Sequence, residues 1–246
     1  MSPAKPVRTR IREPREKDGK RETANSSVAR GPAPKPARER SLPLHKAAYS
    51  LSVHDPRELP PPGVPEIAFA GRSNAGKSSA INALTRRRKL AFVSKLPGRT
   101  QLINFFALGG AAFLVDLPGY GYAGVPGEVR RHWDLLVGDY VANRESLAAV
   151  VLVMDIRHPL TPLDLRLIDW LRGARRPVHA LLTKADKLSR QAAQSTLAKV
   201  RRQLATLCPG STAQAFSSLR GEGLDEAAAE LTRLVERKNK APAKGE

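Results

Sequence analysis

Cysteine is almost missing from this chain: Cys208 stands alone among 246 residues. One thiol excludes a disulfide framework and any zinc site built from cysteines, and it fits a reducing compartment. Acidic residues are also scarce, 23 against 42 Lys plus Arg, which leaves a formal charge of +19. Aromatics make up only 5% of the chain. The longest uninterrupted apolar run, Leu147 to Met154, has eight residues, against the ~20 that a membrane helix needs. No N-terminal stretch has the apolar core of a secretory signal. These absences predict a soluble, cytoplasmic protein without a membrane span, expected to be a monomer. Its charge suits nucleic acid or, less readily, an anionic membrane surface.

The charge is concentrated at the N-terminus. Residues 1 to 40 carry 12 Lys or Arg, five Asp or Glu and no aromatic residue. Such a segment buries too little apolar area to offset the entropy of ordering it. Residues 1–45 are therefore read as a basic disordered arm, either grasping RNA or serving as a solubilising tail. A Pro-rich linker around Pro60–Pro62 follows, and residues 239–246 read as a frayed tail. Between them, residues 46–238 form the expected domain. Ile67–Ala70, Leu102–Leu108, Ala111–Val115, Ala148–Met154, Pro177–Leu182 and Ala213–Phe216 read as strands, with Gly109-Gly110 as a hairpin turn. Helical faces recur at 77–86, across Val129 to Val141, at 163–171, from Ser189 to Leu204, and across Leu224 to Val235. This alternation predicts an α/β fold in three layers: a mostly parallel six-stranded sheet with one antiparallel strand and helices on both faces.

The most informative segment is Gly71-Arg72-Ser73-Asn74-Ala75-Gly76-Lys77-Ser78, a GxxxxGKS between a strand and a helix. Its glycines let successive N–H groups, continuing to Ser79, face phosphate oxygens at a helix N-terminus. Lys77 is placed to neutralise β- and γ-phosphate charge, and the Ser78 hydroxyl to ligate Mg²⁺. Asp116-Leu117-Pro118-Gly119 follows at a strand end, where Asp116 can hold Mg²⁺ through water and Gly119 can turn its N–H to the γ-phosphate. After another strand comes Thr183-Lys184-Ala185-Asp186. A carboxylate there accepts from guanine N1–H and the exocyclic amine; adenine offers neither and would leave it unpaired. GTP or GDP is thus the expected ligand rather than ATP. Ser217-Ser218-Leu219 can offer backbone N–H groups to guanine O6, or form an ordinary turn. Thr100, just before a hairpin strand, is chosen as the switch residue that reaches Mg²⁺ only in the GTP state. Thr183 stands where GTPases usually carry Asn, so micromolar affinity is expected.

The motifs GRSNAGKS, PGRTQLINFF, DLPGYGYA, MDIRHPLTPLD, TKADKL and SSLRGEG closely resemble those of the EngB (YsxC, YihA) GTPases of bacteria, an Era-like, TrmE-related group, over Ala47 to Arg237. The resemblance implies a P-loop small G-protein fold and a GTP-driven switch in large ribosomal subunit assembly. It also implies rRNA and ribosomal proteins as partners and a link to cell division and septation. Thr183 in place of Asn matches the habit of that family. In related GTPases an Asn at the position of Asn74 helps hold K⁺ against the phosphates; shaping the loop is its other reading.

The expected catalytic set is Lys77, Thr100, Gly119 and Asn74. Tyr120 follows DxxG where many GTPases place a water-orienting Gln, so intrinsic hydrolysis below about one turnover per minute is expected. Tyr120 and Tyr122 either stack on a partner or pack against the adjacent helix. Asp155, Arg157 and His158 read as an ion pair bracing a loop more readily than as catalytic groups. The other functions open at this stage are an RNA-binding scaffold, or a division regulator, in which guanine nucleotide is only a ligand.

Overall fold

The computed structural model describes residues 41–92, 102–121 and 127–240. Its centre is a strand that the sequence marks by an unbroken apolar run. Leu147–Asp155 (β5) is buried along its whole length, as expected of a parallel strand covered on both faces. Glu66–Gly71 (β2) and Val178–Thr183 (β6) flank it in parallel and are equally buried. Thr212–Ala215 (β7) continues the sheet beyond β6, and Phe113–Asp116 (β4) lies parallel to β2. Ile103–Ala107 (β3) is antiparallel to β4. Their connection bears out the hairpin: Gly109 and Gly110 sit at φ +58° and +84°, the left-handed geometry that such tight turns require.

The sheet has seven strands, not six. Ala48–Val53 (β1) adds an antiparallel edge to β3, giving the order β1-β3-β4-β2-β5-β6-β7. The extra strand escaped the hydrophobic pattern because it is an exposed edge: only Val53 is buried, and the register slips between Tyr49 and Leu51. Just before it, Leu42 and Leu44, within the stretch read as arm, are buried in the core. The Leu42 N–H donates to Thr232 Oγ1 at 3.1 Å.

Helices Lys77–Thr85 (α1) and Leu224–Lys240 (α5) cover one face. Gly127–Asn143 (α2), Pro162–Gly173 (α3) and Arg190–Leu207 (α4) cover the other. Alternation along β2 feeds both cores. Ile67 and Phe69 pack with Ile81 and Leu231, while Ala68 and Ala70 face the side of Leu136 and Leu167. Parallel strands sharing one direction bring their carboxyl ends, and the loops after β2, β4, β5 and β6, to a single edge, where ligands of open α/β sheets bind. The opposite end is closed by a buried ion pair. Glu66 accepts from Arg144 Nε at 2.9 Å and from the Tyr140 hydroxyl at 2.7 Å, and Arg144 also donates to the Pro60 carbonyl.

Candidate nucleotide site

The loop between β2 and α1 is shaped by two tight positions. At Gly71 a Cβ would lie 2.7 Å from the Val153 carbonyl oxygen on β5. Gly76, the N-cap of α1, has φ +96°, where an L side chain is strained. Asn74 is also left-handed, at φ +65°. The first intrahelical bond runs from Ala80 N–H to the Gly76 carbonyl. The N–H groups of Lys77, Ser78 and Ser79 therefore have no acceptor within the helix, and no side chain among the described residues caps them. Three donors at the positive end of a helix make a cradle for an anion.

Across the cradle, the Lys77 ammonium is paired with the Asp116 carboxylate. Their side chains are only 11% and 9% exposed, so each charge needs its partner. A polyphosphate would give Lys77 an alternative anion, and a divalent cation would do the same for Asp116. Ser78 and Asp116 are hard oxygen donors of the kind that suits Mg²⁺. Among the described residues no group of three or more His, Cys, Asp or Glu could hold a metal. A cation here would therefore complete its shell from ligand and water, which is how Mg²⁺ is commonly held.

The loop after β4 is fastened to the phosphate loop. Leu117 and Pro118 are buried, and a Cβ at Gly119 would come within 3.4 Å of Ser73 Oγ. Ser73 N–H donates to the Tyr120 carbonyl at 2.9 Å, and Tyr120 N–H to the Gly71 carbonyl at 3.3 Å. The Tyr120 side chain packs inward. It is 6% exposed and its hydroxyl donates to Asp164 Oδ1 at 2.8 Å; burial raises its pKa well above the usual phenol range. Of the two readings for this tyrosine, packing is what the fold adopts. Tyr122 and the chosen switch residue Thr100 lie outside the described residues.

The loop after β6 is laced to the same cradle. Thr183 Oγ1 reaches the Ala75 carbonyl at 2.5 Å and the Met154 carbonyl at 3.1 Å, so this hydroxyl ties the two loops. Lys184 Nζ donates to the Asn74 carbonyl at 2.7 Å and pairs with Asp155 at 2.9 Å. Asp186 accepts from Ser217 Oγ at 2.6 Å, and that bond holds its pKa below the usual carboxylate range. Ser217 is fully buried, Ser218 half-buried and Leu219 exposed. Arg72 and Ser73 line the rim, Arg72 Nε lying 3.8 Å from Asp164. The fold thus brings residues 71–79, 116–119, 183–186 and 217–219 to one edge of the sheet.

A protein from Methylobacillus flagellatus called "Probable GTP-binding protein EngB" is 56% identical over 187 residues, covering 76% of this chain and 90% of that protein. The chain belongs to the EngB family of GTP-binding proteins. A second EngB relative, from Aromatoleum aromaticum, is 59% identical over 75% of this chain and 86% of its own. A family described as "50S ribosome-binding GTPase" matches residues 66–184. A crystal structure of a probable GTP-binding protein EngB superposes with a TM-score of 0.56 at 25% identity, over 70% of this chain and 99% of that one. Era from Aquifex aeolicus, crystallised with GDP and aluminium fluoride, shares the fold at a TM-score of 0.57 and 18% identity, over 74% and 58% of the two chains.

Two carboxylates of this EngB site were not assigned these partners by the sequence reading. Asp155 takes Arg157 Nη2 at 2.7 Å as the bracing reading expected, but it also holds Lys184. Both bonds keep its carboxyl well below the usual range, against the opposing effect of burial. Asp164 is fully buried, accepting from Tyr120 and from Thr161 N–H at 2.8 Å. The Thr161-x-x-Asp164 spacing is a helix-start signal that would have located the residue, though not its bond to Tyr120. His158 is exposed.

Proposed function

We propose that this EngB-family chain binds GTP and GDP, hydrolyses GTP slowly, and uses the cycle as a switch during large ribosomal subunit assembly in the cytoplasm. The observation that carries the nucleotide reading is the lacing of an orphan-donor helix mouth to a guanine-type loop through Thr183 and Lys184. In this reading the N–H groups of residues 76–79 bind the phosphates and Lys77 exchanges Asp116 for β- and γ-phosphate oxygens. Asp186 accepts two hydrogen bonds from guanine, and the Ser217–Leu219 turn faces O6. Mg²⁺, when bound, would be held by Ser78, by Asp116 through water, and by Thr100, and would neutralise charge between the β- and γ-phosphates. Attack of water on the γ-phosphorus forms one P–O bond and breaks the bridging one, releasing GDP and phosphate. Lys77 and the Gly119 N–H stabilise the charge that develops on that group.

Slow turnover follows from Tyr120. The residue after Gly119 carries no carboxamide and its hydroxyl is engaged by buried Asp164, so nothing at this position orients the water. Asn74 is the residue we assign to K⁺. Hydrolysis should be faster in potassium chloride than in sodium chloride, and equal rates would remove that assignment.

Asp186→Asn tests the base assignment. An amide presents a donor where guanine also donates, but xanthine carries an oxygen there. The variant should lose GTP and gain xanthosine triphosphate in competition binding, whereas an unchanged preference would sink the reading. For the ribosomal role, sedimentation of extracts with a GTP analogue should place the chain with the large subunit, weakening as salt rises. Lys77→Ala should abolish nucleotide-dependent release; continued release would instead favour a scaffold indifferent to turnover.

A further inference from the structure

From Ile67 to Val115 the sequence contains no Asp or Glu, yet it carries Arg86, Arg87, Arg88 and Lys89 in succession. All four are exposed, and none takes part in an ion pair among the described residues. This sets them apart from Arg57, Arg144, Arg157, Arg172 and Arg233, each of which holds a carboxylate. A run of like charges repels itself, so it persists in a folded loop only where the backbone is held by other means.

Here it is held at both ends. Arg86 ends α1 in a left-handed cap at φ +54°, with its N–H on the Ala83 carbonyl, and Arg87 N–H returns to the Asn82 carbonyl. At the far end the Asn82 carboxamide clamps Ala91, accepting from its N–H at 2.8 Å and donating to its carbonyl at 2.9 Å. Ala91 is buried and Leu90 packs on the α1–α5 core. Immediately beyond the clamp, Phe92 is 84% exposed. An aromatic ring left in water beside a preorganised cluster of cations matches the two needs of single-stranded nucleic acid: charge for phosphates and a flat apolar surface for an unstacked base.

We infer that the loop 86–92 is an RNA-contacting surface, Arg86–Lys89 taking backbone phosphates and Phe92 stacking on a base. The inference rests on the ribosomal reading above and names the element of this chain that meets RNA. A membrane surface would share the attraction to the cations, but the loop offers one ring rather than an apolar face. An acidic protein would not need that ring.

The test uses the full chain, a short single-stranded RNA of mixed sequence, heparin as a polyanion without bases, and anionic phospholipid vesicles. Arg87→Gln, Arg88→Gln and Lys89→Gln together, which leave the Arg86 cap in place, should reduce the slope of log affinity against log salt by about 2. Phe92→Ala should weaken RNA binding roughly 5- to 100-fold with the slope unchanged, and leave heparin binding as it was. Both variants should keep wild-type GDP affinity, which shows that they are folded. RNA binding by both variants identical to wild type overturns the loop assignment while leaving the ribosomal reading standing. Failure of the wild-type chain to bind this RNA also overturns the loop assignment, whereas the ribosomal reading stands or falls on sedimentation with the large subunit. Loss of vesicle binding in the triple variant, with RNA binding intact, gives the loop to a membrane and overturns the inference.

Discussion

A Cβ added at Gly71 would meet the Val153 carbonyl oxygen at 2.7 Å and Val153 Cβ at 3.1 Å. Both atoms belong to β5, which is buried along its whole length. Gly71 is therefore demanded by strand packing before any ligand arrives. At Gly76 the nearest atom, Thr183 Oγ1, is 3.4 Å away; there the backbone angle is the obstacle. Gly71→Ala should accordingly lower stability by about 1–3 kcal/mol even without nucleotide, seen as a lower urea midpoint. A variant as stable as wild type but deficient in nucleotide binding would show that only the ligand requires this glycine. The GxxxxGKS pattern was legible because its information is local: spacing, left-handed positions and a helix start all sit within eight residues. The Tyr120–Asp164 bond joins residues 44 apart in sequence, and nothing in either neighbourhood announces the other.

At the level of elements, β6, β7 and α5 meet across a polar seam. His179 is 3% exposed; its Nδ1 lies 2.8 Å from Thr212 Oγ1 and its Nε2 3.2 Å from Gln214 Oε1. The Thr212 hydroxyl donates to Glu230 Oε1 at 2.9 Å, so towards His179 its oxygen accepts from Nδ1–H. Burial lowers the His179 pKa from the ordinary 6.5, outweighing the attraction of nearby Glu230. The unfolded chain therefore takes up this proton first as pH falls. The stability contributed by neutral His179 is present above pH 6.5 and is lost as pH drops through and below that value. Denaturant unfolding between pH 7.5 and 5.5 should show stability falling as the pH falls, and His179→Gln should flatten that dependence. Depressed carboxylates such as Asp186 and Glu230 are lost only at lower pH, so their window does not overlap. An unchanged slope in His179→Gln would contradict this assignment. The seam was invisible in the sequence because a lone histidine in a strand carries no pattern. β1 was invisible for the complementary reason: an edge strand with one buried residue has no alternation to read, whereas β5 with nine buried residues could hardly be missed.

For the whole molecule, the cradle holds latent instability. Lys77 and Asp116 are like two half-sites closed on each other, and the N–H groups at the mouth of α1 have no acceptor in the helix. A ligand that supplies a polyphosphate and a divalent cation replaces one ion pair with two sets of partners, and it binds only the folded chain. Such linkage stabilises by about 2.7 kcal/mol at 100 times Kd, which for a chain of this size corresponds to a rise in Tm of roughly 5–10 °C. With the micromolar affinity that the reading anticipates, about 100 µM GDP with Mg²⁺ should reach that range. ADP at the same concentration should produce almost no shift, because adenine offers Asp186 neither of the two donors that guanine presents. Chelating the cation should remove more of the stabilisation from GTP than from GDP, since the γ-phosphate brings the most additional charge to be neutralised beside Asp116. Lys77→Ala should abolish the rise with every nucleotide, yet its Tm without ligand should fall, because Asp116 then remains buried with no cation beside it. If Lys77→Ala were instead as stable as wild type when ligand-free, the pairing of Lys77 with Asp116 would have no energetic weight. The coupling of charge, cation and nucleotide argued at this site would then have to be abandoned.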